Sequence, residues 1–404
     1  MKTRSLLYVI MLATLVLASC APAATAPAAC TSDPAGCAKI PAGQTIRIGM
    51  GAPMTGDNAQ FGIDISQGAK IAVTDAGNLQ GWKFELVTQD DGGTGEGGAA
   101  VANKLVADPT VVAIEGHIFS GATAAAIPIY EKAMIPMLSP SATNPDLTKP
   151  DPKTGVVNKV FNRIPFTDAQ QGKFAAQYLA SKLNVKKLAI LHDGQAYGKG
   201  LAEVVQSTFS SLGTVTSFDA ITPAESDYTA VLSKVAANKP DAIFYGGYVA
   251  EAVVLVNELK QTGLTNTIFF GDDGTFGADF ITRTGANGEG AYATALIAPS
   301  SPAKDKFDAA YLAAYGKPAG TLSPYTWNAY DAAAALISVV KAVAIKGDDG
   351  SLYVPRTAMV NGVRRLSNYQ GISGVFTCDA NGECNSSGPV FFMVQNGKWV
   401  EAPK

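Results

Sequence analysis

The chain has 404 residues, which is room for two or three domains, and 47% of them are hydrophobic, which excludes global disorder. The formal net charge is only −3, so the chain lacks the basic surplus with which a non-specific nucleic-acid-binding protein neutralises phosphates. With 2 histidines, it has little material for zinc sites or for histidine general-base chemistry.

The first twenty residues have the pattern of an export signal. Lys2 and Arg4 precede an almost wholly apolar stretch at 6–19, which is too short to cross a bilayer as a helix. The stretch ends in Leu-Ala-Ser-Cys at Cys20, which resembles a bacterial lipobox, where the cysteine is lipidated. We therefore expect a signal peptide at 1–19 and a lipid anchor at Cys20. An ordinary signal peptide that happens to contain a cysteine is the alternative.

The other four cysteines form two close pairs, Cys30 with Cys37 and Cys378 with Cys384. Export would place them in an oxidising compartment, where disulfides persist. Four cysteines allow three pairings. We expect each pair to bond locally, because each encloses a short loop that contains a glycine. A zinc site would need two-residue spacings and histidine partners, which these cysteines lack. Residues 20–44 would then be a lipid-anchored linker.

From residue 45 onward, short apolar runs alternate with segments of helical spacing. Strands are predicted at 45–51, 83–90, 111–114, 135–138, 187–192, 215–218, 241–245 and 267–270, and helices at 61–76, 97–108, 120–133, 169–183, 200–212, 228–237 and 251–261. Apolar strands that alternate with helices indicate parallel sheets covered on both faces. The pattern begins again after a predicted crossover at 160–164, so the sequence predicts two successive α/β units.

The last quarter of the chain does not continue this alternation. Two further helices, at 302–315 and 325–345, are more than the second sheet needs. The segments 372–377 and 390–400 have strand patterns, and the second contains an Asn-Gly hairpin signal at 396–397. A chain that crosses between two units more than once would accommodate these late pieces.

The sequence contains no enzyme motif whose residues all fit. Residues 51–56 have the glycine spacing of a P-loop, but Asp57 and Asn58 stand where Lys and Ser or Thr would be. The chain has no G-x-S-x-G, H-E-x-x-H or C-x-x-C pattern. We interpret His117 and His192, each at a strand end, as packed structural residues. We therefore expect no enzyme activity, no cofactor and no metal.

Polar residues gather where predicted strands end, which is where open α/β sheets bind ligands. The turns at 115–121 and 139–145 are rich in hydroxyl groups and precede helical segments, so their N–H groups could hold an anion. Helix capping alone would also explain either turn. Tyr197, Tyr248 and Asp273 follow strands of the second half. An acid at that place could receive an ammonium group, although Asp-Gly is also a common turn.

Together these segments resemble the branched-chain amino acid (leucine/isoleucine/valine) periplasmic binding proteins, the substrate-binding components of ABC importers. The resemblance runs from about residue 46 to 400. Its most specific segments are G-A-P-M-T-G-x-x-A-Q-F-G at 51–62, G-H-I-F-S-G-A-T at 116–123, S-P-S-A-T-N-P-D-L-T at 139–148, L-H-D-G-Q-A-Y-G-K-G-L-A at 191–202, F-Y-G-G-Y at 244–248 and Y-T-W-N-A-Y-D-A at 325–332.

The resemblance implies the type I periplasmic-binding-protein fold, an α/β architecture with two doubly wound parallel-sheet lobes, a hinged cleft between them and three crossovers. Lobe 1 would comprise 45–164 plus 298–370. Lobe 2 would comprise 165–297 plus the C-terminal tail at 371–404.

The resemblance also implies a set of ligand contacts. Carried over by position, the contacts to a ligand carboxylate fall on Ser120, on the backbone of Ser141 and Ala142, and on Thr143. The contacts to its ammonium group fall on Ser141, Thr143 and Asp273. Tyr197 would cap the ligand, and the side-chain pocket would be formed by Phe61, Ile118, Phe119, Tyr248 and Tyr325.

Three departures from the family bear on the ligand's side chain. Asp273 stands where glutamate is usual, Phe61 where Tyr or Trp is common, and Phe119 where a smaller residue is familiar. They leave valine and alanine open as alternatives to leucine.

The implied function is that of an exported, lipid-anchored bacterial receptor. It would bind an aliphatic, branched-chain amino acid and deliver it to the membrane subunits of an ABC importer, as a monomer and without nucleic acid. The same scaffold binding an amide, a urea or an aromatic acid is one alternative. A sensory binding module that does not import its ligand is another.

Overall fold

The structure is a computed structural model that describes residues 26–403. The expected signal peptide at 1–19 and the expected lipidation site Cys20 lie outside the described residues. Within residues 26–403, no helix combines the length and the apolar character needed to cross a membrane.

The chain forms its elements in the alternating order that the sequence predicts. The first stretch contains α1 (Ala28–Ser32), β1 (Cys37–Ile40), β2 (Ile46–Ala52), α2 (Ala59–Ala76), β3 (Asn78–Leu79), β4 (Trp82–Asp90), α3 (Gly95–Val106), β5 (Val111–Glu115), α4 (Ser120–Ala133), β6 (Met137–Ser139) and β7 (Phe161–Arg163). The second contains α5 (Asp168–Ser181), β8 (Lys187–His192), α6 (Ala196–Phe209), β9 (Thr214–Ala220), α7 (Thr229–Ala237), β10 (Ala242–Gly246), α8 (Val249–Glu258), β11 (Ile268–Phe270), α9 (Ala278–Thr284) and β12 (Tyr292–Ala295). The third contains α10 (Pro302–Tyr315), α11 (Thr326–Val343), β13 (Ile345–Lys346), β14 (Leu352–Pro355), α12 (Arg356–Arg364), β15 (Tyr369–Gln370), β16 (Val375–Phe376), β17 (Val390–Gln395) and β18 (Lys398–Glu401).

Local sequence explains several of the helix boundaries. Thr94 precedes α3, and its hydroxyl oxygen accepts a hydrogen bond from the backbone N–H of Gly97 at 3.0 Å. Ser301 caps α10 in the same way, with Pro302 in the first turn, where its missing N–H has no cost. The same helix ends at Gly316, which adopts the left-handed conformation that favours glycine.

The first lobe is built on a six-stranded sheet in the order β3-β4-β2-β5-β6-β7. All neighbours are parallel except β3, which is antiparallel to β4. Ile48 shares one core cluster with Leu336 of α11, whereas Ile114 shares another with Leu105 of α3 and Tyr130 of α4. The sheet is therefore covered on both faces, as its apolar strands predict.

The second lobe is built on a seven-stranded sheet in the order β18-β17-β12-β11-β10-β8-β9. Strands β8 to β12 run parallel, and β17 and β18 extend one side as an antiparallel hairpin. The hairpin turns at Asn396 and Gly397, both of which have positive φ, as the sequence predicts. The chain passes between the two sheets after β7, after β12 and before β17, which gives three crossovers.

Both cysteine pairs are bonded locally, as predicted. The segment that we expected to be a linker at 20–44 is in part structured, however. The strand β1 pairs antiparallel with β14, with Cys37 opposite Pro355. Ala38 and Ile40 are buried in the first lobe, so residues 37–40 belong to the folded body.

The structure differs from the predicted lobe boundary at residue 371. Residues 369–376 form the hairpin of β15 and β16, and Ile372 packs against Phe307 and Tyr311 of the first lobe. Of the expected tail as far as residue 403, only β17 and β18 enter the second sheet. The physical reason is that β7 is an edge strand with unpaired backbone groups, which the segment that follows β16 satisfies.

Two other boundaries differ from the prediction in ways that affect the site. The predicted crossover at 160–164 contains β7, which pairs with β6, so the passage to the second lobe begins after Arg163. Helix α6 begins at Ala196 and not at residue 200, which places Tyr197 in its first turn.

Candidate functional site

A cavity with about 260 Å³ of empty space lies between the lobes, where the strands of both sheets end. The residues that line it are Phe61, Ile118, Phe119, Ser120, Ser141, Tyr197, Tyr248, Asp273, Gly274 and Tyr325. All the predicted ligand residues are in this set except Ala142 and Thr143, and Gly274 joins them without having been predicted. Two turns of the first lobe and three strand ends of the second therefore converge on one small space.

The first-lobe side of the cavity is formed by two turns that serine side chains hold together. The Ser139 hydroxyl donates to the carbonyl of His117 at 2.7 Å, and the Ser141 hydroxyl donates to the carbonyl of Ile118 at 2.8 Å. The Ser139 oxygen in turn accepts the backbone N–H of Ala142 at 3.0 Å. The Ala142 N–H, which we expected to bind a ligand carboxylate, is therefore engaged inside the turn. Sequence reasoning missed Ser139, although it stands in the S-P-S-A-T segment.

Helix α4 begins at Ser120, which lines the cavity. The N–H groups of a first turn have no acceptor within the helix, and they attract anions. The Ser120 hydroxyl oxygen accepts the backbone N–H of Asn144 at 3.2 Å, which ties this helix start to the second turn. The arrangement offers an anionic group N–H donors and a hydroxyl group at one place.

Both histidines have structural positions, in agreement with their interpretation from sequence. His117 is fully buried, with Nδ1 2.7 Å from a carboxylate oxygen of Asp91 and Nε2 3.2 Å from the hydroxyl of Tyr130. Its ring lies so close to Gly51 that a Cβ at that position would be 2.1 Å from a ring atom. His192 accepts the backbone N–H of Gly194 at 3.0 Å and so closes a turn.

Asp273 dominates the second-lobe side of the cavity. Its Oδ1 accepts hydrogen bonds from the Tyr197 hydroxyl at 2.7 Å and from Gln171 Nε2 at 2.5 Å. Its Oδ2 accepts a short hydrogen bond from the hydroxyl of Tyr325, which belongs to the first lobe. The acid thus joins the lobes directly. Gln171 on α5 was not predicted, because nothing in a helical D-A-Q-Q-G segment indicates which face meets the cavity.

A buried polar cluster positions Tyr325. The two oxygens of Asp64 accept hydrogen bonds from the Tyr311 hydroxyl at 2.6 Å and from the Ser323 hydroxyl at 2.7 Å. The Thr326 hydroxyl also donates to Asp64, at 2.6 Å. Since Ser323 and Thr326 flank Tyr325, this cluster fixes the start of α11 and with it the hydroxyl that reaches Asp273.

Three fully buried carboxyl groups surround the second-lobe side. Burial raises the pKa of Asp273, although the three donors lower it in part. Burial and then the charge of Asp273 raise the pKa of Asp272 and of Asp168 well above the usual range. Each negative charge therefore disfavours the ionisation of its neighbours. A ligand ammonium group beside Asp273 would favour the ionised form of that acid.

Thr143 is the other predicted residue that does not line the cavity. Burial raises the pKa of Asp168, and the hydroxyl of the buried Thr143 acts in the opposite direction. Among the described residues, no group meets the carboxylate oxygens of Asp168 at ordinary hydrogen-bond geometry. Within the same part of the chain, no cluster of His, Cys, Asp and Glu could hold a metal ion.

Aromatic rings close the apolar part of the cavity. Phe119 of the first lobe stacks on Tyr248 of the second, with ring centroids 4.0 Å apart. Phe61 makes edge-to-face contacts with both rings, at centroid distances of 5.7 Å and 6.2 Å, and the ring centroid of Tyr197 lies 5.4 Å from that of Tyr248. The space left between these rings is narrow.

Comparisons with known proteins identify the family of the chain. Residues 45–398 match the family described as periplasmic binding protein. The chain is 33% identical over 303 residues to Leu/Ile/Val-binding protein homolog 3 of Brucella melitensis, which is 74% of this chain and 78% of the relative.

Two solved structures are similar over almost their whole length. The leucine binding protein LivK of Thermotoga maritima has a TM-score of 0.77 at 27% identity, over 89% of this chain and 98% of that one. The branched-chain amino acid transporter substrate binding protein LivJ of Streptococcus pneumoniae, solved in complex with isoleucine, has a TM-score of 0.77 at 27% identity, over 88% and 97%. These findings confirm the predicted type I fold, and the chain belongs to the periplasmic binding protein family.

Proposed function

We propose that this protein is an extracytoplasmic receptor that binds a small aliphatic α-amino acid, of the branched-chain class, and delivers it to an ABC importer. The observation that carries the proposal is the position of Asp273. This buried acid lines the same cavity as Ser120, the first residue of α4. An α-amino acid carries one positive and one negative charge a short distance apart, and the two sides of the cavity match them.

Closing the cavity around an amino acid removes both charges from water, and each then needs a partner. The first turn of α4 and the Ser120 hydroxyl suit the carboxylate. Asp273 suits the ammonium group, because ionisation of this buried acid is otherwise unfavourable. Part of the binding energy of the ligand therefore comes from pairing its ammonium group with the Asp273 carboxylate, whose charge is unfavourable in the empty site.

The apolar end of the cavity argues for a small aliphatic side chain. Phe119 and Tyr248 stack directly, so a large ring would have to separate them. Valine, isoleucine and leucine bury apolar surface against Phe61 and Ile118 without requiring a polar partner. The names of the relatives support this class, since they describe leucine, isoleucine and valine as ligands.

Export and anchoring complete the proposal. The residues before the folded body have the pattern of a signal peptide followed by Cys20, which we propose as the lipidation site. Two disulfides within the folded body fit an oxidising compartment outside the cytoplasm.

A ligand screen tests the proposal. A thermal-shift survey of the twenty amino acids, followed by calorimetry with leucine, valine and alanine, should find one that stabilises the protein by about 2.7 kcal/mol at a hundredfold excess over its Kd. Isopentylamine lacks the carboxylate and 4-methylpentanoate lacks the ammonium group of leucine, and we expect neither to bind comparably. If 4-methylpentanoate or benzoate binds as tightly as the best amino acid, the ammonium site is wrong and the ligand is an organic acid.

A further inference from the structure

A loop far along the chain reaches the ligand cavity indirectly. We call residues 378–384 the cystine loop, since the Cys378–Cys384 disulfide closes it. Its residue Glu383 forms a salt bridge with Arg163, the last residue of β7, and the Arg163 side chain is fully buried. Neither residue lines the cavity, and neither was singled out from sequence.

The guanidinium of Arg163 uses all five of its N–H donors. Nε and Nη2 donate to the two carboxylate oxygens of Glu383, at 3.0 Å and 2.8 Å. Nη1 donates to the carbonyls of Ala142 and Asn144, at 2.9 Å and 2.7 Å. Nη2 also donates to the hydroxyl of Thr148, at 2.7 Å. Three of these contacts lie in the segment 139–148, which contributes Ser141 to the lining of the cavity.

Glu383 is needed for this arrangement in two ways. It balances the charge of Arg163, which would otherwise be buried without a partner at a large cost. It also accepts the Thr148 hydroxyl at 2.5 Å, so it contacts the segment 139–148 directly. Without Glu383, the unpaired guanidinium of Arg163 would be more stable in contact with solvent, and moving there would break its hydrogen bonds to the carbonyls of Ala142 and Asn144.

Backbone hydrogen bonds attach the cystine loop to β7, and they require a glycine in the loop. The Arg163 N–H donates to the carbonyl of Gly382 at 2.9 Å, and the Cys384 N–H donates to the carbonyl of Arg163 at 3.0 Å. Gly382 has a φ of +98°, and a Cβ there would lie 2.3 Å from the carbonyl oxygen of Phe161. Any other residue at this position would therefore push the loop away from β7.

We propose that the cystine loop is a positioning element for the ligand site. Through Glu383 and Arg163 it holds the segment 139–148 in the conformation that presents Ser141 to the ligand. The claim about affinity rests on the proposed function, whereas the claim about the conformation of 139–148 does not.

The chain offers a matched control. The disulfide between Cys30 and Cys37 is also local, but it is attached to β14, and neither cysteine belongs to the cavity lining. Loss of either disulfide should lower the melting temperature, since each cross-link restricts the unfolded chain. Only loss of the Cys378–Cys384 disulfide should change the ligand site.

Two measurements on the full exported protein test the proposal. The first is the Kd for leucine by calorimetry, well below the melting temperature. We expect the double variant Cys378→Ser/Cys384→Ser, and separately Glu383→Gln, to weaken binding roughly 3- to 30-fold, the range found for positions that act through a packed network. The variant Cys30→Ser/Cys37→Ser should bind like the parent.

The second measurement is hydrogen exchange without ligand, which remains decisive if leucine proves not to be the ligand. We expect the amides of 139–148 to exchange faster in both cystine-loop variants and in Gly382→Ala, but not in Cys30→Ser/Cys37→Ser. Unchanged exchange in Glu383→Gln and Gly382→Ala overturns the proposal, and so does equal faster exchange in both disulfide variants. If the parent binds no amino acid, the proposed function is wrong, while the exchange result still decides the role of the loop.

Discussion

Replacing Asp273 with asparagine separates the charge of the site from its shape. Asparagine keeps one carbonyl oxygen, which can still accept from Tyr197 and Gln171. The new amide would face the Tyr325 hydroxyl, which can rotate to accept a hydrogen bond in place of donating one. We therefore expect Asp273→Asn to fold and to unfold at a free energy no lower than that of the parent, because a buried carboxylate has been removed.

Ligand binding should respond strongly to the same change. The ammonium group of the amino acid would enter a closed cavity without a negative partner, which costs about 2–4 kcal/mol. At about 1.4 kcal/mol per factor of ten, the Kd should rise roughly 30- to 700-fold. The parent should also lose affinity as the pH falls, since protonation of Asp273, whose pKa burial raises, removes the same charge. This pH dependence should be weaker in Asp273→Asn.

The neighbouring acid is the control. Burial and then the charge of Asp273 raise the pKa of Asp272 well above its usual range, which favours its protonated form. Asp272→Asn resembles that protonated form and retains an oxygen for the N–H of Gly247, which donates to it at 2.9 Å. Calorimetric titration of both variants with the best amino acid decides the matter. If Asp273→Asn binds like the parent, or if Asp272→Asn is the more sensitive variant, the assignment of the ammonium site is refuted.

Three further predictions concern Phe119, Asp193 and Cys20. Phe119→Ala should remove the ring stacked on Tyr248 and raise the affinity for phenylalanine relative to valine; an unchanged ratio of the two Kd values would contradict the proposed wall. Burial raises the pKa of Asp193 from 3.8 to about 7. Between about pH 4 and pH 7 the folded state therefore keeps a proton on Asp193 that the unfolded chain has released, so the stability of the fold decreases as the pH rises through this range. Asp193→Asn keeps an acceptor for the N–H of Gln195. Its unfolding free energy should exceed that of the parent by up to about 4 kcal/mol near pH 8 and by little near pH 4. Urea unfolding at both pH values measures this difference. Cys20→Ser should release the protein from the membrane fraction or block its maturation, and unchanged retention and processing would exclude the lipid anchor.

The strands and the helices that cover them could be predicted from sequence because their signals are local. The helix at 120–133 and the strand at 187–192 have the predicted bounds, since each has a clear apolar pattern and a polar start. The start of α6 was placed too late, because two glycines in its first turns are typical of a loop. Gly198 is required by packing, because a Cβ at this position would lie 2.3 Å from the carbonyl oxygen of Gly246. This contact is between distant segments, so the local sequence does not reveal it.

The parts of the site that depend on distant contacts could not be predicted. Gln171 and Ser139 are ordinary polar residues in sequence, and their importance comes from the side chains that the fold brings to them. The position of residues 371–386 depends on the unpaired edge of β7, which no local pattern reveals. The charges of Asp168 and Asp272 likewise depend on burial, which follows only from the packed lobes.

The repeated passage of the chain between the lobes has a consequence for how the protein folds. Cys37 pairs with Pro355 in one lobe and Tyr292 with Met393 in the other, so each core contains segments that are far apart along the chain. Contacts between residues so far apart in sequence slow folding, because the chain loses the entropy of closing a long loop before the contacts form that offset this loss. A fragment ending near residue 163 would leave Ile48 and Val112 facing water where α11 normally packs. The two lobes are therefore expected to fold as one cooperative unit, with the late segments supplying the contacts that complete both cores.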